Sequence, residues 1–199
     1  MSRQVTQPAP VRRPTSAPVE SRSAVAVATT LDELTVLESE ALEAMFAVAG
    51  PATLHDLEGH PRGRALARPS VRAAWLVGLL RTAHASSLFP WEGKSFRARP
   101  GATEGVGINR VRLGWHGGLF PFRTYETGSV VDGKPCAAID YDVPANPAGA
   151  RPIYDEVRRV SEGLYLGRGM SRRPGREPKL LLWFALDTRI QDRPVAFRG

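Results

Sequence analysis

Two stretches decide the fold class: Ile108-Asn109-Arg110-Val111-Arg112-Leu113-Gly114-Trp115 and Leu119-Phe120-Pro121-Phe122-Arg123-Thr124-Tyr125-Glu126, joined by His116-Gly117-Gly118. Short runs rich in apolar and aromatic residues, separated by a glycine turn signal, read as an antiparallel hairpin. The same punctuation continues downstream. Val131-Asp132-Gly133-Lys134 leads into Pro135–Tyr141, and Leu164–Met170 and Leu180–Leu186 follow. Short strands recurring at turn-bounded intervals predict a mainly β protein, an antiparallel barrel or sandwich.

Upstream of Ser87 the pattern is helical. Thr30 is a candidate N-cap with Glu33 three residues on, and Leu31, Leu34, Leu37, Ala41, Leu42, Met45 and Phe46 recur at helical spacing until Gly50-Pro51. This predicts one amphipathic helix over 31–50. Val71, Ala74, Trp75, Gly78 and Leu79 predict a second over about 70–85, with Pro69 at its start. Ile153, Val157 and Val160, with Asp155 and Glu156 early and Arg158 and Arg159 late, predict a short helix over 153–160 whose charges suit its dipole. Residues 1–30 are rich in Pro, Ser, Thr, Val and Ala without a period and read as a disordered tail. The organisation is then a tail (1–30), a helix (31–50) and a β domain (51–199).

With 199 residues the chain can bury a core without disulfides or metal. No apolar run approaches the roughly 20 residues of a membrane span, and the N-terminus has no apolar signal-peptide core, which predicts a cytoplasmic protein. Cys136 is the single cysteine, so neither an internal disulfide nor a cysteine zinc site can form. The net charge of +7 raises the question of nucleic acid. Yet the bases are scattered, and their one dense cluster, Arg168, Arg172, Arg173 and Arg176, sits among Gly169, Pro174, Gly175 and Pro178 as in a solvated loop.

Four fragments carry a family resemblance: Leu57-Glu58-Gly59-His60-Pro61-Arg62-Gly63-Arg64, Trp91-Glu92-Gly93-Lys94-Ser95-Phe96, Ile139-Asp140-Tyr141-Asp142 with Arg151–Arg158, and Leu164-Tyr165-Leu166-Gly167 with Leu180–Leu186. Over residues 54–187 the chain resembles small bacterial and fungal proteins that pair a Gly-x-Trp-x-Gly opening with a domain of unknown function. The resemblance implies a lipocalin-like, calycin-type up-and-down β-barrel around a hydrophobic cavity. Here His60-Pro61-Arg62 stands between Gly59 and Gly63, where the family has Trp. The plug that Trp supplies must come from elsewhere, with Trp91 as the candidate.

Within such a barrel, strand alternation sends Asp140 and Asp142 to one face and Tyr141 to the other. A carboxylate facing an apolar cavity is a candidate general acid or base, and a buried tyrosine hydroxyl can donate to a developing oxyanion. Asp140, Tyr141 and Asp142 are therefore the candidate catalytic residues. Solvent-facing aspartates and an ordinary Asp155–Arg158 helix pair are the plainer reading of the same residues. Trp91, Lys94 and Tyr165 would shape the pocket, Asp155 and Arg158 would be a supporting charge pair, Asn109 would shape a turn or reach a ligand at the mouth, and Tyr125 would line the cavity with Phe120 and Phe122. Gly105-Val106-Gly107 precedes a strand and lacks the third glycine of a dinucleotide site. No serine lies in a G-x-S-x-G elbow, and His55, His60, His84 and His116 lack metal spacing.

These readings converge on a barrel that binds a hydrophobic small molecule, a lipid or specialised metabolite, without cofactor or metal. Cofactor-independent cyclisation or isomerisation by acid/base catalysis is the leading activity, because such a step needs mainly orientation and one well-placed polar group. Three rivals stand beside it: a lipophilic-ligand carrier without turnover, a basic accessory that binds nucleic acid or a protein partner, and a haem protein with His84 or His116 as ligand.

Overall fold

The computed structural model describes residues 28–66, 91–98, 101–112 and 114–196. Eight strands form one closed antiparallel barrel. They are β2 (Pro61–Ala65), β3 (Trp91–Ala98), β4 (Glu104–Arg112), β5 (His116–Gly128), β6 (Pro135–Asp140), β7 (Ile153–Ser161), β8 (Leu164–Ser171) and β9 (Lys179–Gln191). Each strand pairs with the next along the chain, and β2 pairs with β9 to close the ring, an up-and-down meander without a free edge. A two-residue strand, β1 (Gly50–Pro51), pairs with the far end of β7, beyond the last residue that pairs with β6. The mainly β class and the barrel agree with the sequence.

The two faces of the barrel carry separate cores. Inside are Phe96, Phe122, Ala137, Ile139, Tyr141, Val157, Tyr165, Phe184 and Leu186. They are joined by Leu54 and Leu57 of a one-turn helix, α3 (Leu54–Leu57), which lies across the end where β3 finishes at Ala98. A capping box at Thr53 and Asp56 starts this helix, and the Leu54 N–H donates to Glu126 Oε1 at 3.0 Å. The closing plug is thus this leucine pair, whereas Trp91 lies at the opposite end. Outside, Leu164, Leu166, Trp183 and Ala185 pack against α1 (Leu31–Thr35) and α2 (Ser39–Val48) through Leu31, Leu34, Leu42, Met45 and Phe46.

Two sequence expectations change in the structure. The helix over 31–50 is broken after Thr35, where two β-branched residues, Thr35 and Val36, follow each other and the Thr35 hydroxyl donates back to the Asp32 carbonyl at 2.7 Å. The short helix over 153–160 is strand β7. Its apolar spacing does not discriminate between the two, because Ile153 and Val157 share a face in either structure. As a strand, Ile153 and Val157 join the interior while Val160 packs against the outer core. The helix expected over 70–85 and the tail to residue 27 lie outside the described residues.

Trp183 anchors the N-terminal helices. Its indole donates to Ser39 Oγ at 3.0 Å, its ring meets Phe46 edge-on at 5.6 Å, and the Arg168 guanidinium lies 5.6 Å from its centroid. Trp183→Ala is expected to cost about 3–5 kcal/mol in urea unfolding, and an unchanged midpoint would show that the helices do not depend on this contact. Burial pushes the Cys136 thiol up to about 12. A thiol reagent at neutral pH should therefore modify Cys136 only in denaturant; rapid modification of the native chain would contradict its buried position.

Candidate functional site

A cluster of polar side chains occupies the barrel interior at the end opposite α3. Lys94 projects inward from β3, paired with Asn109 on β4; Asp155 projects inward from β7, and Tyr141 follows the last residue of β6. Lys94 Nζ donates to Asn109 Oδ1 at 2.9 Å, to the Tyr141 hydroxyl at 2.5 Å, and pairs with Asp155 Oδ2 at 3.0 Å. The Tyr141 hydroxyl lies 3.2 Å from Asp155 Oδ2 and can donate to it. The Asn109 amide donates to that hydroxyl at 3.1 Å and to the Phe120 carbonyl at 3.2 Å, while its oxygen also accepts from the Trp91 indole at 3.1 Å.

Four aromatic rings surround the ammonium. Lys94 Nζ lies 4.8 Å from the centroid of Phe184, 5.2 Å from Tyr141, 5.4 Å from Phe122 and 5.7 Å from Trp91. These distances are in the range of cation–π attraction. Two cross-strand pairs make room for two of the rings. Phe122 lies opposite Gly107 and Phe184 opposite Gly167, and a Cβ on either glycine would come within 2.4 Å of the ring. An aromatic laid over a glycine of the neighbouring strand is the geometry that holds both rings against the wall.

The backbone is also distorted here. The β4–β5 register shifts between Ile108 and Asn109, and Phe120 adopts φ +54, unique as a positive-φ non-glycine among the described residues. This bulge aims the Phe120 carbonyl at the Asn109 amide, and such strained bulges cluster at functional sites. Trp91, Phe120, Ile153 and Leu182 are half-buried at this end of the interior core, an apolar rim beside the polar cluster.

Electrostatics follow from burial. Lys94 and Asp155 are only 3% and 4% exposed. Burial pushes the Lys94 ammonium below the usual lysine range against the pull of Asp155, and pushes the Asp155 carboxyl up against the pull of Lys94. Burial and the neighbouring Asp155 charge hold the Tyr141 hydroxyl well above its ordinary value, so it keeps its proton and remains a donor.

Of the residues named from sequence, Trp91, Lys94, Asn109, Tyr141 and Asp155 come together here. Tyr165 also faces the interior, but at the far end, where burial and then the Asp56 charge push its hydroxyl up. The remaining candidates lie elsewhere. Asp140 is buried on the other face of β6 from Tyr141, facing Arg172 at 3.1 Å and Arg123 at 3.5 Å. Tyr125 shares that outer face, with its hydroxyl 3.4 Å from Asp140 Oδ2. Asp142 is exposed and offers only its N–H, to Asp140 Oδ1. Arg158 does not pair with Asp155, because three residues along a strand place them on opposite faces. It is buried outside, donating to Asp132 Oδ2 at 2.8 Å and to the Phe46 carbonyl at 3.1 Å. Phe184 is not among the residues named from sequence; its cue is Gly167, which the β8–β9 register sets opposite it.

The features behind the rival readings are engaged locally. Arg168 pairs with Glu43 at 2.7 Å and Arg172 with Asp140, leaving Arg173 and Arg176 on the exposed turn of the basic cluster. His116 faces Glu92 at 3.0 Å on the surface, and His84 lies outside the described residues. Among the described residues, no group of three His, Cys, Asp or Glu could hold a metal, and no helix is long and apolar enough to cross a membrane.

No family model matches the chain, and no curated protein matches it significantly. Among solved structures, the chain is similar to a protein from Thermomonospora curvata at 19% identity, with a TM-score of 0.50 over 79% of this chain and 89% of that one. That likeness bears on the fold alone and accords with a lipocalin-like barrel.

Asp155→Asn would leave Lys94 buried without its counter-charge, at an expected cost of about 3–5 kcal/mol. Desolvation then acts on Lys94 unopposed. The unfolded chain holds the Lys94 proton up to its ordinary 10.5, while the native variant releases it at lower pH. Native protein binds fewer protons in that window, so the variant gains stability as pH rises. Urea unfolding at about pH 6 and about pH 9 should show the deficit relative to wild type narrowing; a constant deficit would mean Lys94 is not the group responsible.

Proposed function

We propose that the barrel takes a hydrophobic small molecule past Trp91, Phe120, Ile153 and Leu182, and that Lys94, Tyr141, Asn109 and Asp155 bind the molecule's one polar group, a carbonyl or similar acceptor. One observation supports this above the others: an ion pair, hydrogen-bonded to Asn109 and Tyr141, sits inside an apolar barrel. Such a pair contributes little to stability, because its desolvation cost offsets its Coulomb gain, and apolar residues of the same volume would serve the fold as well. A charged pair kept there is best explained by what it does to a ligand.

The chemistry of the cluster suits acid/base assistance without a cofactor. Tyr141 or the Lys94 ammonium donates a hydrogen bond to a carbonyl oxygen as charge develops on it, and the Asp155 carboxylate accepts a proton from an adjacent carbon or from Lys94. The aromatic walls hold the carbon skeleton and exclude water, which is what a cyclisation or isomerisation requires. We retain the distant relation to the Gly-x-Trp-x-Gly barrels as part of this reading; the catalytic roles first given to Asp140 and Asp142 pass to Asp155. A carrier without turnover is the second reading. It is favoured by the completeness of the network, in which each polar group of the four side chains already has a partner.

Native mass spectrometry of the purified chain, with mass analysis of its organic extract, tests the shared core of both readings. The expected result is a bound apolar compound of a few hundred daltons, or tight uptake of a lipophilic fluorescent probe, weakened at least tenfold in the folded double variant Lys94→Met/Asp155→Leu. A wild-type chain that is empty and takes up no probe would end the cavity reading. Conversion of the extracted compound by wild type and not by Tyr141→Phe would separate catalysis from carriage.

A further inference from the structure

We propose that Lys94 is a nucleophilic amine, and that the barrel captures hydrophobic aldehydes or ketones as an imine on Lys94 Nζ. This rests on the binding reading above and adds a covalent step to it. Three features of the geometry support it. First, Nζ is ringed by Phe184, Tyr141, Phe122 and Trp91 at 4.8–5.7 Å from their centroids, so an apolar carbonyl compound that packs among these rings brings its carbonyl carbon to the amine. Second, Asp155 Oδ2 at 3.0 Å is placed to take the ammonium proton, and away from water the cost of converting the ion pair to a neutral amine beside a neutral acid is small. The directions in which burial moves both groups agree with that transfer. Third, the Tyr141 hydroxyl, 2.5 Å from Nζ and 3.2 Å from Asp155, lies where the carbonyl oxygen must be protonated. Desolvation beside a base is the general way a lysine is activated for this chemistry.

The step balances without any further reagent. Asp155 accepts one proton from Lys94, and the amine lone pair attacks the carbonyl carbon as the C=O π pair moves to oxygen, which takes a proton from Tyr141. The carbinolamine nitrogen then gives up a proton to the tyrosinate. The C–O bond breaks as the oxygen receives the proton held by Asp155, and the departing group is water. The nitrogen lone pair forms the C=N bond as the C–O bond breaks, so the Lys94 ammonium and the carbonyl become a protonated imine, held against the Asp155 carboxylate, and water, with no net oxidation or reduction.

The chain carries three lysines, and the other two, Lys134 and Lys179, are exposed, which supplies an internal control. The full-length protein is incubated with 2-naphthaldehyde and sodium cyanoborohydride, and the reduced adduct is located by peptide mapping. In parallel, 2-naphthylmethanol, which cannot form an imine, is titrated into the same protein. The expected result is one naphthylmethyl group on Lys94, saturable and suppressed by the alcohol. It should be absent in Lys94→Met and Lys94→Arg, and formed about a hundredfold more slowly in Tyr141→Phe. Because the map is made on wild type, the result does not depend on a variant folding. Labelling of Lys134 and Lys179 in preference to Lys94 overturns the inference. Binding of the alcohol without a Lys94 adduct also overturns it and leaves the binding reading standing. Failure of both compounds to bind overturns the two together.

Discussion

A barrel closed by β2 on β9 has an inside, and no charge enters that inside without a partner from across the barrel. This constraint organises the molecule. Along each strand the side chains alternate, so an ionisable residue of β3 to β9 faces either the enclosed apolar interior or the outer side, where helices, loops or water meet it. On the enclosed side the apolar residues and α3 fill one end, and the described structure allows a single ion pair, Lys94 with Asp155, at the other. Because β3 and β7 lie on different sides of the ring, the pair can form only if the strand order and register are right. The Asn109 bridge and the β5 bulge at Phe120 then adjust to it.

How far the sequence was legible follows from the same alternation. Turn signals placed β6 and β8 to within a residue and located β4, β5 and β9 with shifted ends, the expected turn at His116-Gly117-Gly118 being the first residues of β5. They failed at β7, where Ile153 and Val157 are four apart and so share a face in helix and strand alike. The polar Asp155 and Glu156 looked like an exposed helical face, although one is enclosed and the other is covered by the β5–β6 turn through Ser129 Oγ at 2.6 Å. That single misreading also paired Asp155 with Arg158. Trp91 and Lys94 could be named from the Trp91–Phe96 fragment, Tyr141 from the polar run Asp140-Tyr141-Asp142, and Asn109 from the segment after Gly105-Val106-Gly107. That they meet could not be read from sequence, because it depends on which of two faces each strand turns inward.

The choice between Asp140 and Asp155 shows how much one residue of register decides. Both are buried aspartates, and both face cations. Asp140, on the outer face of β6, is held by two arginines that remain partly in water, and the interaction is weakened accordingly. Asp155, on the inner face of β7, meets one ammonium in an apolar surround, where the same charge interacts more strongly and costs more to bury. In that second environment burial pushes the Asp155 carboxyl up against the pull of Lys94.

The other buried charges of the barrel differ from the Lys94–Asp155 pair in what they hold. Arg158 donates to the Phe46 and Lys134 carbonyls and so ties α2 and the β5–β6 turn to β7. Arg110 donates to the carbonyls of Pro61, Glu92 and Lys94 and joins β2 to β3. Glu156 accepts from the Val130 N–H and fixes the turn before β6. Each of these outer charges satisfies backbone that would otherwise be left without a partner, and each has a structural reason to exist. Lys94, Asp155 and Tyr141 bind one another and Asn109 through side-chain atoms alone, and the cluster touches backbone only through the Asn109 amide on Phe120. They tether no loop and close no strand. An enclosed network that ties down no backbone beyond Phe120, walled by rings that Gly107 and Gly167 make room for, is the observation on which the proposed ligand site rests.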